Sequence, residues 1–408
     1  MNEKAQTTDE TANDEHRDIH SNGGKLWVVF LVFGLLTFGG GVGLIIWTLL
    51  QPPAEVAKFD FPKIPSKTED TNIIYSDLTG EALAEASLKN APTYCIQTPN
   101  GTDGARPQAG LNTAGVIFEA IAESGITRFA AIYQNPSSAV IGPIRSLRLY
   151  YLQWDTPFNC TIVHAGGADD ALAAVRAGGY RDLTENYTYM YRGTYGGRLW
   201  NNLFTTASLL KQFGADRGYD SSEVTGFSHM TPEASKKARI DSLVGSKLVI
   251  TAPAAGNTSE LIPKVSEIGL NFGGWANFNV RYKYDVGTNK YLRSYESGAA
   301  HEVYSCPNED LGEKNPEDVC ELVQMAPSAV VAMVVSEQRA WDGYHEDITT
   351  LGSGDVYIFQ NGGVTQGTWH KDDVGSQIRF QDEQGNEIKL TPGQTIVSAI
   401  PTYGSIDF

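Results

Sequence analysis

Cysteine is scarce: four occur in 408 residues, and none lies before Cys95. A lipid-anchored cysteine near the N-terminus is therefore excluded. No Cys-x-x-Cys, His-Glu-x-x-His, Gly-x-Ser-x-Gly or Walker loop is present, so the motif-borne zinc, redox, serine-hydrolase and nucleotide chemistries have no foothold. No cofactor and no metal is expected. Positive charge is short as well, with 31 Lys and Arg against 48 Asp and Glu, a net charge of −17. Such a chain is repelled by phosphate backbones, which removes nucleic acid from the expected partners.

Two further absences organise the N-terminal end. Residues 1–25 hold almost no large apolar side chain, and a disordered cytoplasmic tail is expected there. Leu26 to Leu50, LWVVFLVFGLLTFGGGVGLIIWTLL, holds no charged residue. As a helix rising about 1.5 Å per residue it would reach roughly 37 Å, enough to span a bilayer. Trp27 and Trp47 sit near its ends, where aromatic belts form. The run is too long for the apolar part of a signal peptide, and no small-x-small site follows it closely. A single-pass transmembrane helix over 26–50 is predicted, with the lipid bilayer as its partner.

Orientation is not decided by the flanking charges, because Arg17 and Lys25 on one side face Lys58, Lys63 and Lys67 on the other. Cysteine usage decides it. Cys306 and Cys320 bracket the polar loop CPNEDLGEKNPEDVC, which has nothing apolar to fold it and calls for a disulfide. Cys95 and Cys160 form either a second pair or two buried thiols. An oxidising compartment places the C-terminal part outside the cytoplasm.

After the span, residues 51–74 carry four prolines and scattered charge and read as a stiff stalk. Residues 75–250 alternate strand and helix signals. TYCIQT, TRFAAIYQ and CTIVHAGG are strands. Thr113 to Gly125, with Val116, Ile117, Ala120 and Ile121 on one face, reads as a helix. So does IRSLRLYYLQW after Gly142-Pro143, ADDALAAVRAGG, and NNLFTTASLLKQF. The rhythm predicts an α/β domain with a partly parallel sheet. Residues 270–408 alternate with period two and carry a hairpin signal at Asn361-Gly362, which predicts a mainly antiparallel β domain.

The chemistry-bearing residues gather in the first domain. Arg128, Arg145 and Arg148 lie in TRFAAIYQNPSSAVIGPIRSLRLYYLQW among residues that otherwise read as core. A buried guanidinium needs a partner. Glu119 and Glu123, at i and i+4 of the predicted helix, are the nearest carboxylates, and Arg145 and Arg148 at i and i+3 share a face of the next. Arg106 is counted with them as a ligand contact. The group forms either an internal salt-bridge network or a cleft whose surplus guanidinium binds a carboxylate or phosphate. His164 ends a strand where α/β folds place ligands, although Asp169 and Asp170 would repel a phosphate at the following helix. The histidine and carboxylates of YHEDI, 344–348, lack ligand spacing and read as a solvated turn.

The motifs SDLTGEAL, ARPQAGLNTAGVIFEAIAESGITRFAAIYQ, IGPIRS, VHAGG and NNLFT, in this order, resemble the YerB-like family of bacterial envelope lipoproteins. VRYKYDVGTNKYLRS and GSGDVYIFQNGGVTQGTWHK resemble that family's C-terminal domain, so the likeness covers roughly 76–401. It implies an extracytoplasmic, membrane-tethered, two-domain protein and no particular activity. Two departures stand out: the family's usual lipobox cysteine is absent, and LWNNLF, Leu199 to Phe204, stands where relatives tend to read Pro-His-Asn-Leu, so that histidine is lacking. The expectation is a binding or scaffolding protein whose Arg/Glu cleft takes an anionic wall or peptide ligand. The alternative is an envelope glycan or peptide hydrolase or transferase with Glu119 or Glu123 as acid/base and His164 assisting.

Overall fold

Apolar runs too short for helices, bounded by Gly, Pro and Asn, become strands and build most of this protein. The computed structural model describes residues 73–194, 199–244, 263–306 and 314–408. The expected tail, the membrane span and nearly all of the stalk lie outside the described residues. Among the described residues no helix is long and apolar enough to cross a membrane.

In chain order the first strands are β1 (Thr93–Pro99), β2 (Val116–Glu123), β3 (Ile126–Gln134), β4 (Thr161–His164), β5 (Asp182–Thr184), β6 (Tyr191–Arg192) and β7 (Leu203–Phe204). Helices α1 (Leu149–Asp155), α2 (Asp169–Arg176), α3 (Ala207–Asp216) and α4 (Pro232–Val244) are interleaved with or follow them. The later strands are β8 (Glu267–Asn271), β9 (Val280–Asp285), β10 (Lys290–Tyr295), β11 (Glu302–Ser305), β12 (Glu321–Gln324), β13 (Ala329–Val335), β14 (Glu337–Arg339), β15 (Glu346–Ile348), β16 (Gly352–Gln360), β17 (Gly363–Lys371), β18 (Arg379–Asp382), β19 (Thr395–Pro401) and β20 (Ser405–Asp407).

Ten of these form one mixed sheet in the order β18-β17-β16-β13-β19-β2-β3-β1-β4-β5. The N-terminal part is partly parallel, through β1–β4 and β4–β5, and the C-terminal part is mainly antiparallel. The two halves are continuous: β19 lies parallel to β2, with Ser398 opposite Glu119, so the sheet crosses the boundary expected between 250 and 270. All described residues fall in one compact unit.

One face of the sheet is covered by α1 and α2. There Phe118 stacks on Trp154 at 5.4 Å, and Tyr151, Leu152 and Phe158 complete an apolar layer. The other face is covered by α3 toward β1 and β4, and by a second sheet, β10-β9-β8-β20, toward β2 and β13. Both expected cysteine-bearing regions are stapled: Cys306 pairs with Cys320, and Cys95 with Cys160, which leaves no free cysteine among the described residues.

One predicted helix is a strand, and a second begins later than its sequence suggests. Val116–Glu123 is a strand buried at every position. A strand covered on both faces loses its period of two, and a continuous apolar run cannot then be told from a buried helix. Ser124 and Gly125, at φ 49° and 78°, turn the chain into β3 as a two-residue hairpin loop. Between Gly142-Pro143 and Arg148 the chain is likewise not helical, and the helix begins only at Leu149, with Arg148 extended at its N-cap. Arg145 and Arg148 are therefore not helix-face neighbours. The strands at TYCIQT, TRFAAIYQ and CTIVHAGG, the helix of ADDALAAVR and the Asn361-Gly362 hairpin form where the sequence places them.

Candidate functional site

Glu119 and Glu123, four apart on a regular strand, would share a face. They do not, because the pairing of β2 with β3 shifts between Ile121 and Glu123. This β-bulge inserts one residue and turns Glu123 over. Glu119 stays with Ile121 on the face of the second sheet, and Glu123 joins Arg128 on the face of α1. The bulge thus splits the expected cluster into two centres on opposite faces.

The first centre is a buried network. Glu119 and Arg293 are both 0 % exposed, and Arg293 Nη2 donates to Oε1 and Oε2 of Glu119 at 2.9 and 2.8 Å. Thr127 Oγ1 donates to Glu119 at 3.0 Å. Arg293 also donates to His301 Nδ1, and His301 Nε2 donates to Gln108 Oε1 at 3.0 Å, a pattern that fixes a neutral imidazole. Burial and the neighbouring Arg293 cation push His301 well below the usual histidine range. Burial opposes the Arg293 charge too, but the Glu119 carboxylate outweighs it and holds the guanidinium protonated. Gln108 passes the chain on to Asn100, whose Oδ1 accepts from Arg106 Nε at 2.8 Å. Arg106 lies half-buried over the Tyr295 ring at 3.9 Å and reaches Asn277 O. This network ties the first half of the chain to β10 and β11 and is closed to solvent except at Arg106.

The second centre is nearer the surface. Glu123 Oε1 accepts from Arg128 Nη2 at 2.6 Å, and Oε2 accepts from Arg148 Nη2 at 2.5 Å. Further donors of those arginines go to backbone carbonyls at the chain's turning points, while Arg128 Nε is buried without a hydrogen-bond partner. Arg128 Nη1 reaches Ser146 O at 2.8 Å, and Arg148 reaches Leu147 O and Ala122 O. Tyr150 Oη donates to Ile121 O at 2.7 Å, so α1 holds the bulge in place. Burial works against the Glu123 carboxylate, yet Arg128 and Arg148 together bring it below its ordinary range.

Arg145 is the third arginine of this centre. Burial holds its guanidinium below the usual arginine range, opposed by the Glu123 carboxylate and reinforced by the Arg148 cation. Its Nε is buried without a hydrogen-bond partner, and among the described residues no side-chain hydrogen bond or ion pair reaches its guanidinium. Its backbone is fixed instead, by Arg145 N to Gln97 O and Ala165 N to Arg145 O. Three guanidinium groups therefore gather around one carboxylate. The hairpin between β14 and β15 overhangs this edge, where His345 bridges the backbone of Glu123. Trp341 at its tip is 86 % exposed and, with Asp170 and His345, borders a narrow cavity of about 80 Å³ beside Arg148.

The other sequence-predicted residues are elsewhere. His164 is buried, with Nδ1 2.7 Å from Gly166 O and Nε2 2.8 Å from an Asp182 carboxylate oxygen, so both ring nitrogens are committed. It does not converge with either glutamate. Asn201, within LWNNLF, is buried and donates to Asp103 at 2.9 Å. Sequence reasoning missed Arg293. Its signal was the alternation of KYLRSY, which sets Arg293 on the same face of β10 as buried Tyr291. Among the described residues no group of His, Cys, Asp and Glu has the arrangement of a metal site.

The comparisons with known proteins agree with this architecture. Residues 78–220 match the family described as "Protein of unknown function (DUF3048) N-terminal domain", and residues 270–397 match its C-terminal domain. The chain is 24 % identical over 329 residues to "Putative lipoprotein YerB" of Bacillus subtilis (strain 168), covering 79 % of this chain and 85 % of that protein. A crystal structure of the YerB protein from Bacillus subtilis is similar in fold, with a TM-score of 0.61 at 21 % identity over 82 % of this chain and all of that one.

Proposed function

The chain belongs to the DUF3048 family of proteins of unknown function, and from that premise we propose that it is a membrane-anchored, extracytoplasmic binding protein of the bacterial cell envelope. The relative's printed name is that of a lipoprotein, and two disulfides suit an oxidising compartment. In this chain the charge-free run 26–50 takes the place of the lipid anchor, and the part from residue 75 onward stands outside on the stalk.

The ligand is an anion, a carboxylate or phosphate of a wall fragment or peptide. The observation that carries this reading is the Arg145 guanidinium, which among the described residues has no hydrogen-bond or ion-pair partner beside a carboxylate already shared by Arg128 and Arg148. A planar guanidinium with its donors unused recognises such groups by paired hydrogen bonds. A thermal-shift series of the protein against inorganic phosphate, acetate and N-acetylmuramoyl dipeptide tests it. Stabilisation by at least one anion, weakening with added salt, is expected, and no response to any of them refutes the reading. Protease added to intact cells tests the orientation: the part from residue 75 onward is digested there if it lies outside, and only after lysis if it does not.

A further inference from the structure

The β14–β15 hairpin also borders a second, chemically different cavity. An open cavity of about 560 Å³ is walled by Trp275 and Tyr403, with Glu337, Arg339 and Glu346 at its side and the glycines of two turns as its floor. The size is that of a small-molecule pocket. Both rings stand in solvent, Trp275 at 66 % and Tyr403 at 57 % exposure, yet both are pinned. Trp275 Nε1 donates to Ser124 O at 2.7 Å, and its ring edge rests on Gly125, where an added Cβ would meet Cδ1 at 2.9 Å. Tyr403 Oη donates to Glu337 Oε1 at 2.6 Å, and its ring lies on Gly273, where a Cβ would meet ring carbons at 2.4 Å. Large exposed rings fixed at edge and tip lose little freedom when a ligand arrives, which is how a preformed binding wall is built.

We propose that this cavity binds a pyranose ring of an uncharged oligosaccharide, stacked on Trp275 or Tyr403 with its hydroxyls directed to Glu337 and Glu346. The apolar C–H face of a sugar suits an aromatic ring, and its hydroxyls supply donors that carboxylates lack. Glu337 is such a group: Oε1 is taken by Tyr403, and Oε2 is buried with no protein donor. An anionic ligand is disfavoured by the two carboxylates. A cationic one is disfavoured too, because Arg339 lies 3.7 Å from Glu346. Burial, with Glu346 nearby, also raises the Glu337 carboxyl to about 7, so its charge is only partial at neutral pH. This site goes beyond the anion reading of Arg145, which is not among its lining residues.

The test is titration of the full chain, in a detergent without a sugar headgroup, with tetra-N-acetylchitotetraose and cellotetraose. Tryptophan fluorescence and calorimetry report binding. At least one oligosaccharide is expected to bind, with about a tenfold loss of affinity in Trp275→Ala or Tyr403→Ala and near-retention in Trp275→Phe. Each ring also makes one hydrogen bond, so melting temperatures are taken beside the affinities, and the affinity loss is expected in variants that remain folded at the titration temperature. Arg145→Ala leaves saccharide binding unchanged, which separates this site from the anion site. Absence of binding by both oligosaccharides overturns the proposal. So does binding that survives loss of both rings, or a cavity that takes the cation Nα-acetyl-lysine methylamide in place of the sugars.

Discussion

Replacing Glu119 strands Arg293, and the structure sets the cost. The guanidinium has no solvent exposure, and one of its nitrogens gives two hydrogen bonds to the carboxylate, at 2.9 and 2.8 Å. Without Glu119 it keeps only His301 and the faces of Phe129, Tyr282 and Tyr295, 5.3 to 5.9 Å away. Rings at that distance return part of the lost energy but do not replace an ion pair. Breaking one partner of a buried pair costs about 3–5 kcal/mol. Glu119→Gln, which still offers an amide oxygen, belongs near the lower figure, and Glu119→Ala near the upper. The double variant Glu119→Leu with Arg293→Met removes both charges at similar volume and is expected to recover most of the loss, because neither desolvation cost remains. Urea denaturation of the three variants, read by tryptophan fluorescence, gives the energies, provided the slope with denaturant is unchanged. A loss below about 1 kcal/mol for Glu119→Ala, the size of an ordinary surface change, would refute the burial of Arg293. A double variant as unstable as the single one would refute the ion-pair cost.

Three further outcomes follow from the same structure. Cys306→Ser with Cys320→Ser opens a loop with a separation of 14 residues and is expected to cost about 3 kcal/mol, against about 4 kcal/mol for Cys95 and Cys160 at a separation of 65; both are read by denaturation with and without reductant. His301 is neutral when folded and free to protonate below 6.5 when unfolded, so stability falls as pH drops below 6.5 by up to about 1.4 kcal/mol per unit. His301→Gln should flatten that slope in a pH series of melting curves. Glu123, held below its ordinary 4.5, contributes stability that is full above that value and is lost as pH falls through the lower folded value; Glu123→Gln should lower stability at pH 7 and weaken its acid dependence.

The sequence carried much of this architecture where local signals sufficed. Asn361-Gly362, with both residues at positive φ, can only turn a tight hairpin, and Asp169 and Asp170 begin a helix whose apolar side buries Ala171 and Val175. The failure at Val116–Glu123 has a definite cause. The strand lies in the middle of a ten-stranded sheet with both faces covered, so the periodicity that separates strand from helix is absent. The bulge after Ile121 left no mark that a sequence reader could use, yet it decides which glutamate meets Arg128. The pairing of Cys95 with Cys160 was open for a related reason: it depends on β1 lying beside β4, a long-range parallel contact. Arg128, Arg148 and Glu123 do meet, as their cost in an apolar segment required. Glu119 was assigned to the wrong arginines because its true partner lies 174 residues away.

The most direct measurement compares anion binding with stability in Arg145→Ala. Calorimetric titration with phosphate and N-acetylmuramoyl dipeptide is run beside thermal melts on the parent and the variant. Because the Arg145 guanidinium makes no side-chain hydrogen bond or ion pair among the described residues, its removal should leave the melting temperature nearly unchanged. Charged hydrogen bonds of about 1.5–3 kcal/mol predict at least a tenfold loss of anion affinity. Equal binding by parent and variant, or binding by neither, would contradict the account.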